Sequence, residues 1–294
     1  MVKIFAVLLS LAIGGISAYL FYANVGLSIV AVVFIGLGIA IATLLVQIIL
    51  FFLVAFLLGL PENRKKIRTH QNGFYHWYMM LVERIIFSLF GMKRHCRGRE
   101  LLSTNEDYIV IANHRSNLDN MIIDVYLKKY KMVFITKQSL LKAPIIGPVI
   151  HGNAYIALDR GNTLQEFEAF KIAHDMLTRE KERHSIGIFP EGTRNPNSDN
   201  SNVQAFHPGS FRMAFKAQKP IVLIALRGTK EVNNNLLFKR HHCYLDVVEV
   251  IDYEQYKDMN VNTLAEYCHD KIQNFLEENI KWDTYYITRF QQDI

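Results

Sequence analysis

The first sixty residues and the rest of the chain follow different hydrophobic rules. Between Lys3 and Glu62 no residue is charged, and the apolar run is broken only around Asn24 to Ser28. A membrane-spanning helix needs about 20 predominantly apolar residues. Ile4 to Tyr22 meets that length, and Leu27 to Leu60 exceeds it. The pattern predicts two apolar helices joined near Asn24-Val25-Gly26, the second tilted, kinked or partly lying in the interface. Two other readings stay open: a cleavable signal peptide, with Ile16-Ser17-Ala18 as a poor cleavage site, and a re-entrant hairpin confined to one leaflet. Arg64, Lys65, Lys66 and Arg68 follow the second segment immediately. By the excess of basic residues on cytoplasmic loops, they assign that side, and everything after Pro61, to the cytoplasm.

From Phe74 to Phe90 the chain is rich in aromatics and Met with few charges, which suits either a helix at a membrane interface or a core helix packed on the domain. After Gly98 short β-rich runs alternate with helical stretches. Tyr108 to Ala112, Met132 to Thr136, Ala154 to Leu158, Ser185 to Phe189, Ile221 to Leu226 and Tyr244 to Ile251 read as strands. Leu118 to Lys129, Leu164 to Glu180, Ser210 to Gln218 and Asn262 to Asn279 read as helices. Such alternation predicts an α/β domain, a mixed but largely parallel sheet flanked by helices. With no internal repeat, low-complexity tract or linker, the economical partition is a hydrophobic anchor over 1–60 and one domain over 61–294.

Composition agrees with the anchor: half of the 294 residues are hydrophobic, and the mean hydropathy is positive. The net charge of +6 is compatible with nucleic acid, an anionic membrane surface or an anionic substrate, and charge alone does not choose. Cys96, Cys243 and Cys268 are scattered without Cys-x-x-Cys spacing, so neither a disulfide framework nor a zinc site is expected, and a reducing compartment fits.

Two polar clusters stand at predicted strand ends, where open α/β sheets bind ligands. In the first, Asn113-His114-Arg115-Ser116-Asn117-Leu118-Asp119 follows the apolar run Tyr108 to Ala112. His114 and Asp119 there read as a general base with its orienting carboxylate. Ser116 and Asp119 equally have the spacing of a helix capping box, and at this point both readings stand. In the second, Pro190-Glu191-Gly192-Thr193-Arg194 follows Ser185 to Phe189. Gly192 allows close backbone approach, Thr193 offers a hydroxyl, and Arg194 can fork two hydrogen bonds onto a phosphate. An ordinary surface turn is the plainer alternative.

Taken together the clusters resemble the glycerolipid acyltransferase family, and within it the 1-acyl-sn-glycerol-3-phosphate acyltransferases. Asn113, His114 and Asp119 match the family's Asn-His-x-x-x-x-Asp motif, and Phe189 to Arg194 match Phe-Pro-Glu-Gly-Thr-Arg without a change. Tyr155-Ile156-Ala157-Leu158-Asp159-Arg160 fits a second motif, and Pro220 to Ala225 fits a fourth loosely. Two departures occur: His207-Pro208-Gly209 stands where a basic residue often precedes the glycine, and Leu223 replaces the fourth motif's second proline.

The resemblance implies direct acyl transfer from acyl-CoA or acyl-carrier protein to the free hydroxyl of lysophosphatidic acid, yielding phosphatidic acid. A neutral imidazole is an available base near neutral pH, so His114 would take the hydroxyl proton while Asp119 fixes the tautomer. There is no Gly-x-Ser-x-Gly nucleophile elbow. The family assigns the acceptor's phosphate to Arg194 with Arg160, and the glycerol side to Glu191 and Gly192. Thr193, Asn113 and Arg115 complete the expected substrate contacts. Arg160 in a strand-end ion pair and Arg115 as plain surface charge are the competing readings. The expected partners are lysophosphatidic acid, the acyl donor and the bilayer, with no nucleic acid, no cofactor and no metal. An integral membrane protein with its catalytic domain on the cytoplasmic face follows, the basic run adding ~1 kcal/mol per residue near anionic lipid. Another lysophospholipid or glycerol 3-phosphate as acceptor, a membrane lipid hydrolase, and a lipid-binding scaffold are the alternatives.

Overall fold

The computed structural model describes residues 2–59, 66–144, 146–158, 163–179, 184–195, 202–234 and 240–291. The chain forms two compact units, Met1–Lys65 with Leu141–Val149, and Lys66–Leu140 with Ile150–Ile294.

The first unit is dominated by α1 (Val2–Val25) and α2 (Ile29–Gly59). By length and composition, Phe5–Val25 and Ile29–Val54 can each cross a membrane. The helices run antiparallel and meet through small residues. A Cβ on Gly14 would strike the Gly36 carbonyl oxygen, and one on Gly36 would stand 2.9 Å from Ala18 Cβ. Small side chains let backbones approach where no hydrophobic force between helices exists in lipid. Gln47 Nε2 donates to Ser10 Oγ at 3.3 Å across the same contact, while Phe5 and Phe34 point outward, exposed.

In the second unit, α3 (Gly73–Leu89) is capped by Asn72 Oδ1, which accepts from Phe74 N at 3.0 Å and Tyr75 N at 3.4 Å. One face of this helix packs on the domain, as expected of a core helix, and the other is exposed. Tyr75, Tyr78, Met79, Met80, Glu83 and Phe87 are buried, whereas Phe74, Trp77 and Leu89 are exposed.

The strands are β1 (Met92–Arg97), β2 (Ile109–Ala112), β3 (Val133–Lys137), β4 (Ile156–Leu158), β5 (Ile186–Ile188), β6 (Ile221–Arg227) and β7 (His241–Ile251). They form one sheet in the order β1-β7-β6-β2-β5-β3-β4. Every pairing is parallel except β6 with β7. The remaining helices are α4 (Asp119–Tyr126), α5 (Gln138–Lys142), α6 (Ile146–Gly152), α7 (Thr163–Thr178), α8 (Arg212–Ala217), α9 (Thr229–Asn234), α10 (Tyr253–Tyr256) and α11 (Val261–Gln291). The α/β class and the largely parallel sheet agree with the sequence pattern.

Ile109, Ile111, Ile186, Ile188, Ile221 and Leu223 pack in one core with residues of α7, α8 and α11. Val110, Ala112, Val222 and Ile224, which point the other way, are just as buried. Burial on both faces explains why these strands read as unbroken apolar runs rather than alternating ones. Strand β1 escaped the sequence pattern because Met-Lys-Arg-His-Cys-Arg carries no apolar signal. As an edge strand it has one neighbour, β7, which sets its register.

Candidate active site

Strands β2 and β5 are adjacent and parallel, with Ile111 opposite Ile188. Continuing that register brings the turn after β2 against the turn after β5, so His114 meets Glu191. Glu191 Oε1 accepts the His114 N–H at 2.6 Å, and Asn195 N–H donates to the His114 carbonyl at 3.0 Å. Glu191 Oε2 accepts from Gln204 N at 3.2 Å. The backbone of the histidine is thereby held on both sides, by Glu191 of the Pro-Glu-Gly-Thr-Arg turn and by Asn195 just after it.

The imidazole is fixed as firmly as its backbone. His114 Nδ1 lies 2.9 Å from Asp119 Oδ2, and the Asp119 side chain is fully buried while that of His114 is 20 % exposed. With Nδ1–H donated to the carboxylate, Nε2 is left as the acceptor. The ring also stacks on Phe189, with centroids 4.3 Å apart and 20° between planes, and Phe189 stacks in turn on Phe134 at 6.1 Å.

Asp119 Oδ2 accepts from Arg115 N at 2.6 Å and from Ser116 N at 2.7 Å as well. The capping box expected of Ser116 and Asp119 is not formed, because Leu118 is the N-cap of α4 and Asp119 its first residue, so Ser116 lies ahead of the helix. Ser116 Oγ accepts from Leu118 N at 3.2 Å. A single oxygen closes the helix-initiating turn and orients the histidine.

The other expected contacts divide. Thr193 and Arg194 are exposed, and Gly192 adopts φ +73, the left-handed region that favours glycine, its N–H donating to Phe189 O at 3.0 Å. Arg160 and its neighbour Asp159 lie outside the described residues. Asn113 and Glu191, expected at the substrate, both have backbone partners across the sheet. Asn113 is buried, donating from Nδ2 to Leu226 O at 3.0 Å and accepting from Leu226 N at 2.7 Å, which ties the end of β2 to β6. Glu191 has both oxygens taken by backbone N–H groups, and burial pushes its carboxyl up to about 7. Arg115, weighed as a substrate contact or a surface charge, is only 3% exposed and presents no open guanidinium.

Phe189, Asn195 and Gln204 were not singled out from sequence. Phe189 was legible as a motif position, but the others act through backbone N–H groups, which no residue type announces. The thiols are poor nucleophiles here. Cys96 sits between His95 and Arg97, yet burial pushes it up to about 11, and Cys243 up to about 12. Among the described residues no three His, Cys, Asp or Glu side chains group as metal ligands.

Residues 93–227 match the family described as Acyltransferase. The 1-acyl-sn-glycerol-3-phosphate acyltransferase of Escherichia coli (strain K12) is 30% identical over 221 residues, 74% of this chain and 83% of that protein. The enzyme of the same name from Haemophilus influenzae is 28% identical over 198 residues, 66% of this chain and 78% of that one. The crystal structure of the 1-acyl-sn-glycerophosphate (LPA) acyltransferase from Thermotoga maritima has a TM-score of 0.55 at 22% identity, covering 77% of this chain and 86% of that chain, a likeness of fold. The family match and the relatives thus define an acyltransferase domain. The chain belongs to the 1-acyl-sn-glycerol-3-phosphate acyltransferase family, and it is an O-acyltransferase.

Proposed function

We propose that the protein transfers an acyl chain from acyl-CoA or acyl-carrier protein to the free sn-2 hydroxyl of 1-acyl-sn-glycerol 3-phosphate, giving phosphatidic acid. The observation that carries the mechanism is the His114–Asp119 pair at 2.9 Å, its acceptor nitrogen on a partly open ring. Nε2 takes the hydroxyl proton as the oxygen attacks the thioester carbonyl. The buried carboxylate of Asp119 stabilises the imidazolium that forms. Collapse of the tetrahedral intermediate breaks the carbon–sulfur bond, and the departing thiolate recovers the proton from His114. No cofactor or metal takes part in this reading.

Arg194 and Thr193, exposed on the turn after β5, face the work of holding the acceptor's phosphate, with Arg160 as their expected companion. The names of the relatives support the acceptor. The two apolar helices support an anchor in the bilayer where that acceptor resides, ahead of a catalytic domain beginning after Pro61. Lys66 and Arg68, at the start of that domain, belong to the basic run that supports a cytoplasmic orientation.

The test is His114→Ala in the full-length purified protein, assayed with lysophosphatidic acid and with each donor in turn. Loss of a general base should lower kcat by about 10²- to 10⁴-fold, with the acceptor KM little changed. Near wild-type turnover with either donor would sink the base assignment. Formation of phosphatidic acid by the wild type, against a panel of other lysophospholipids and glycerol 3-phosphate, checks the acceptor.

A further inference from the structure

The motif that ends in Asp159-Arg160 begins at Tyr155, a residue the acyl transfer does not use. Tyr155 is buried just after α6, its N–H donating to Ile150 O at 3.1 Å. Ala154 ahead of it sits at φ +60, a left-handed conformation that a residue with a Cβ rarely adopts. The backbone is thus held in an uncommon shape at the point where the tyrosine turns into the domain. Its ring packs on Phe134 at 5.5 Å, and from Phe134 the rings run through Phe189 to His114. Tyr155 is the far end of the stack on which the base rests.

The Tyr155 hydroxyl faces Asp124 and Asn120 of α4, and Asp124 in turn faces Glu83 of α3. Asp124 is fully buried and Glu83 is 2% exposed. Both Asp124 oxygens, Glu83 Oε2 and the Tyr155 hydroxyl are buried with no completed hydrogen bond elsewhere among the described residues, so these groups have one another to bond. The cation acting on Glu83 is Arg94 of β1, which is exposed, its guanidinium over the Phe87 ring at 4.9 Å. Two carboxyls buried side by side with no cation between them do not both ionise. Burial pushes Asp124 up to about 8 and raises Glu83 well above the usual carboxylate range. Near neutral pH they keep their protons, and a protonated carboxyl both donates and accepts.

Asp124 stands five residues beyond Asp119, about one and a half turns along the same helix. Helix α4 therefore carries, at its start, the carboxylate that orients His114 and, further on, the acid that meets Tyr155. The two supports of the catalytic pair, the helix beneath Asp119 and the ring stack beneath His114, meet again at Asp124 and Tyr155. We propose that Asp124 is a positioning residue: by bonding the Tyr155 hydroxyl, with Glu83 behind it, it fastens α4 to the stack and so fixes where the His114 ring stands against Asp119. This role rests on the assignment of His114 as the base. A reacting group displaced by ~1 Å loses about a hundredfold in rate; the loss here is smaller, because Asp119 still holds Nδ1 when the fastening is gone.

The experiment uses the full chain with lysophosphatidic acid and the acyl donor that the wild type accepts, and four variants: Asp124→Asn, Asp124→Leu, Tyr155→Phe and Asp124→Leu/Tyr155→Phe. Asparagine keeps a neutral group that bonds the hydroxyl, leucine keeps the volume without it, and phenylalanine keeps the ring. Asp124→Leu and Tyr155→Phe should each lower kcat about tenfold, with the acceptor KM unchanged, while Asp124→Asn stays close to wild type. The double variant should lose no more than either single one, since the two share one bond. With both partners apolar it should melt no lower than wild type, which separates positioning from stability. In a His114→Ala background Asp124→Leu should cost nothing further. Wild-type kcat in Asp124→Leu and Tyr155→Phe overturns the proposal. So do losses that multiply to about a hundredfold in the double variant, and a loss in Asp124→Asn equal to that in Asp124→Leu with a matching fall in melting temperature, the mark of packing alone. If Asp124→Leu does not fold, Tyr155→Phe set against Asp124→Asn decides the matter by itself. Failure of the base assignment shows separately, as near wild-type turnover of His114→Ala.

Discussion

Replacing Glu191 by Gln should remove one pH-dependent contribution to the stability of the second unit, and the size of the effect follows from its burial. Glu191 is 3% exposed, with its oxygens 2.6 Å from His114 N and 3.2 Å from Gln204 N. Burial raises its carboxyl from the ordinary 4.5 to about 7, against the weaker opposing pull of the two N–H groups and of His114 and Arg115. Below the unfolded value the group is protonated in both states and costs nothing. Between the two values the unfolded chain has lost its proton and the folded chain has kept it, so stability falls as pH rises. Above the folded value the whole cost is present, about 3 kcal/mol at ~1.4 kcal/mol per unit. Glutamine cannot ionise and escapes that cost at every pH. It also sets an amide NH2 against one of the two N–H groups, a loss of about 1–3 kcal/mol. The variant should therefore melt several degrees below wild type at pH 5 and close to it at pH 8. At ~2–4 °C per kcal/mol the gap should change by about 5–10 °C. Thermal unfolding of the detergent-solubilised full chain at the two pH values, followed by near-UV circular dichroism, measures it. A gap that does not change with pH would refute the buried-carboxyl reasoning.

Two further substitutions test how the site is held. Asn113→Ala leaves the N–H and C=O of Leu226 buried without the bonds at 2.7 and 3.0 Å, and should cost about 2–4 kcal/mol in urea denaturation; an unchanged midpoint would show that the amide ties nothing together. In Gly187→Ala the added methyl meets Phe134 Cε1 and Cδ1, and that ring cannot yield without moving Phe189 and the histidine stacked upon it. The expected result is about 1–3 kcal/mol of overpacking and a kcat lower by roughly ten- to a hundredfold, read from melting and turnover together. Turnover equal to wild type would show that the stack does not position the base.

Some of this protein is written in its sequence because the property is local. An uncharged stretch from Lys3 to Glu62 is apolar whatever surrounds it, and strands buried on both faces must be apolar throughout, so β2, β5 and β6 were visible as runs. The polar residues at the ends of β2 and β5 were visible too, since histidine, aspartate and arginine declare their chemistry by type. Whether they meet is not local. The parallel pairing of β2 with β5 is what lays the two turns together, and it spends Asn113 and Glu191 on backbone partners 113 and 77 residues away. Residue type cannot reveal that expenditure, because the partners are N–H and C=O groups that every residue carries. The same holds for β1, whose six residues have no strand pattern of their own and become a strand only because β7 offers its edge. The sequence determined which groups are available for chemistry. Tertiary pairing, by matching backbone hydrogen bonds across distant strands, decided which of them are brought together and which are bonded to backbone groups.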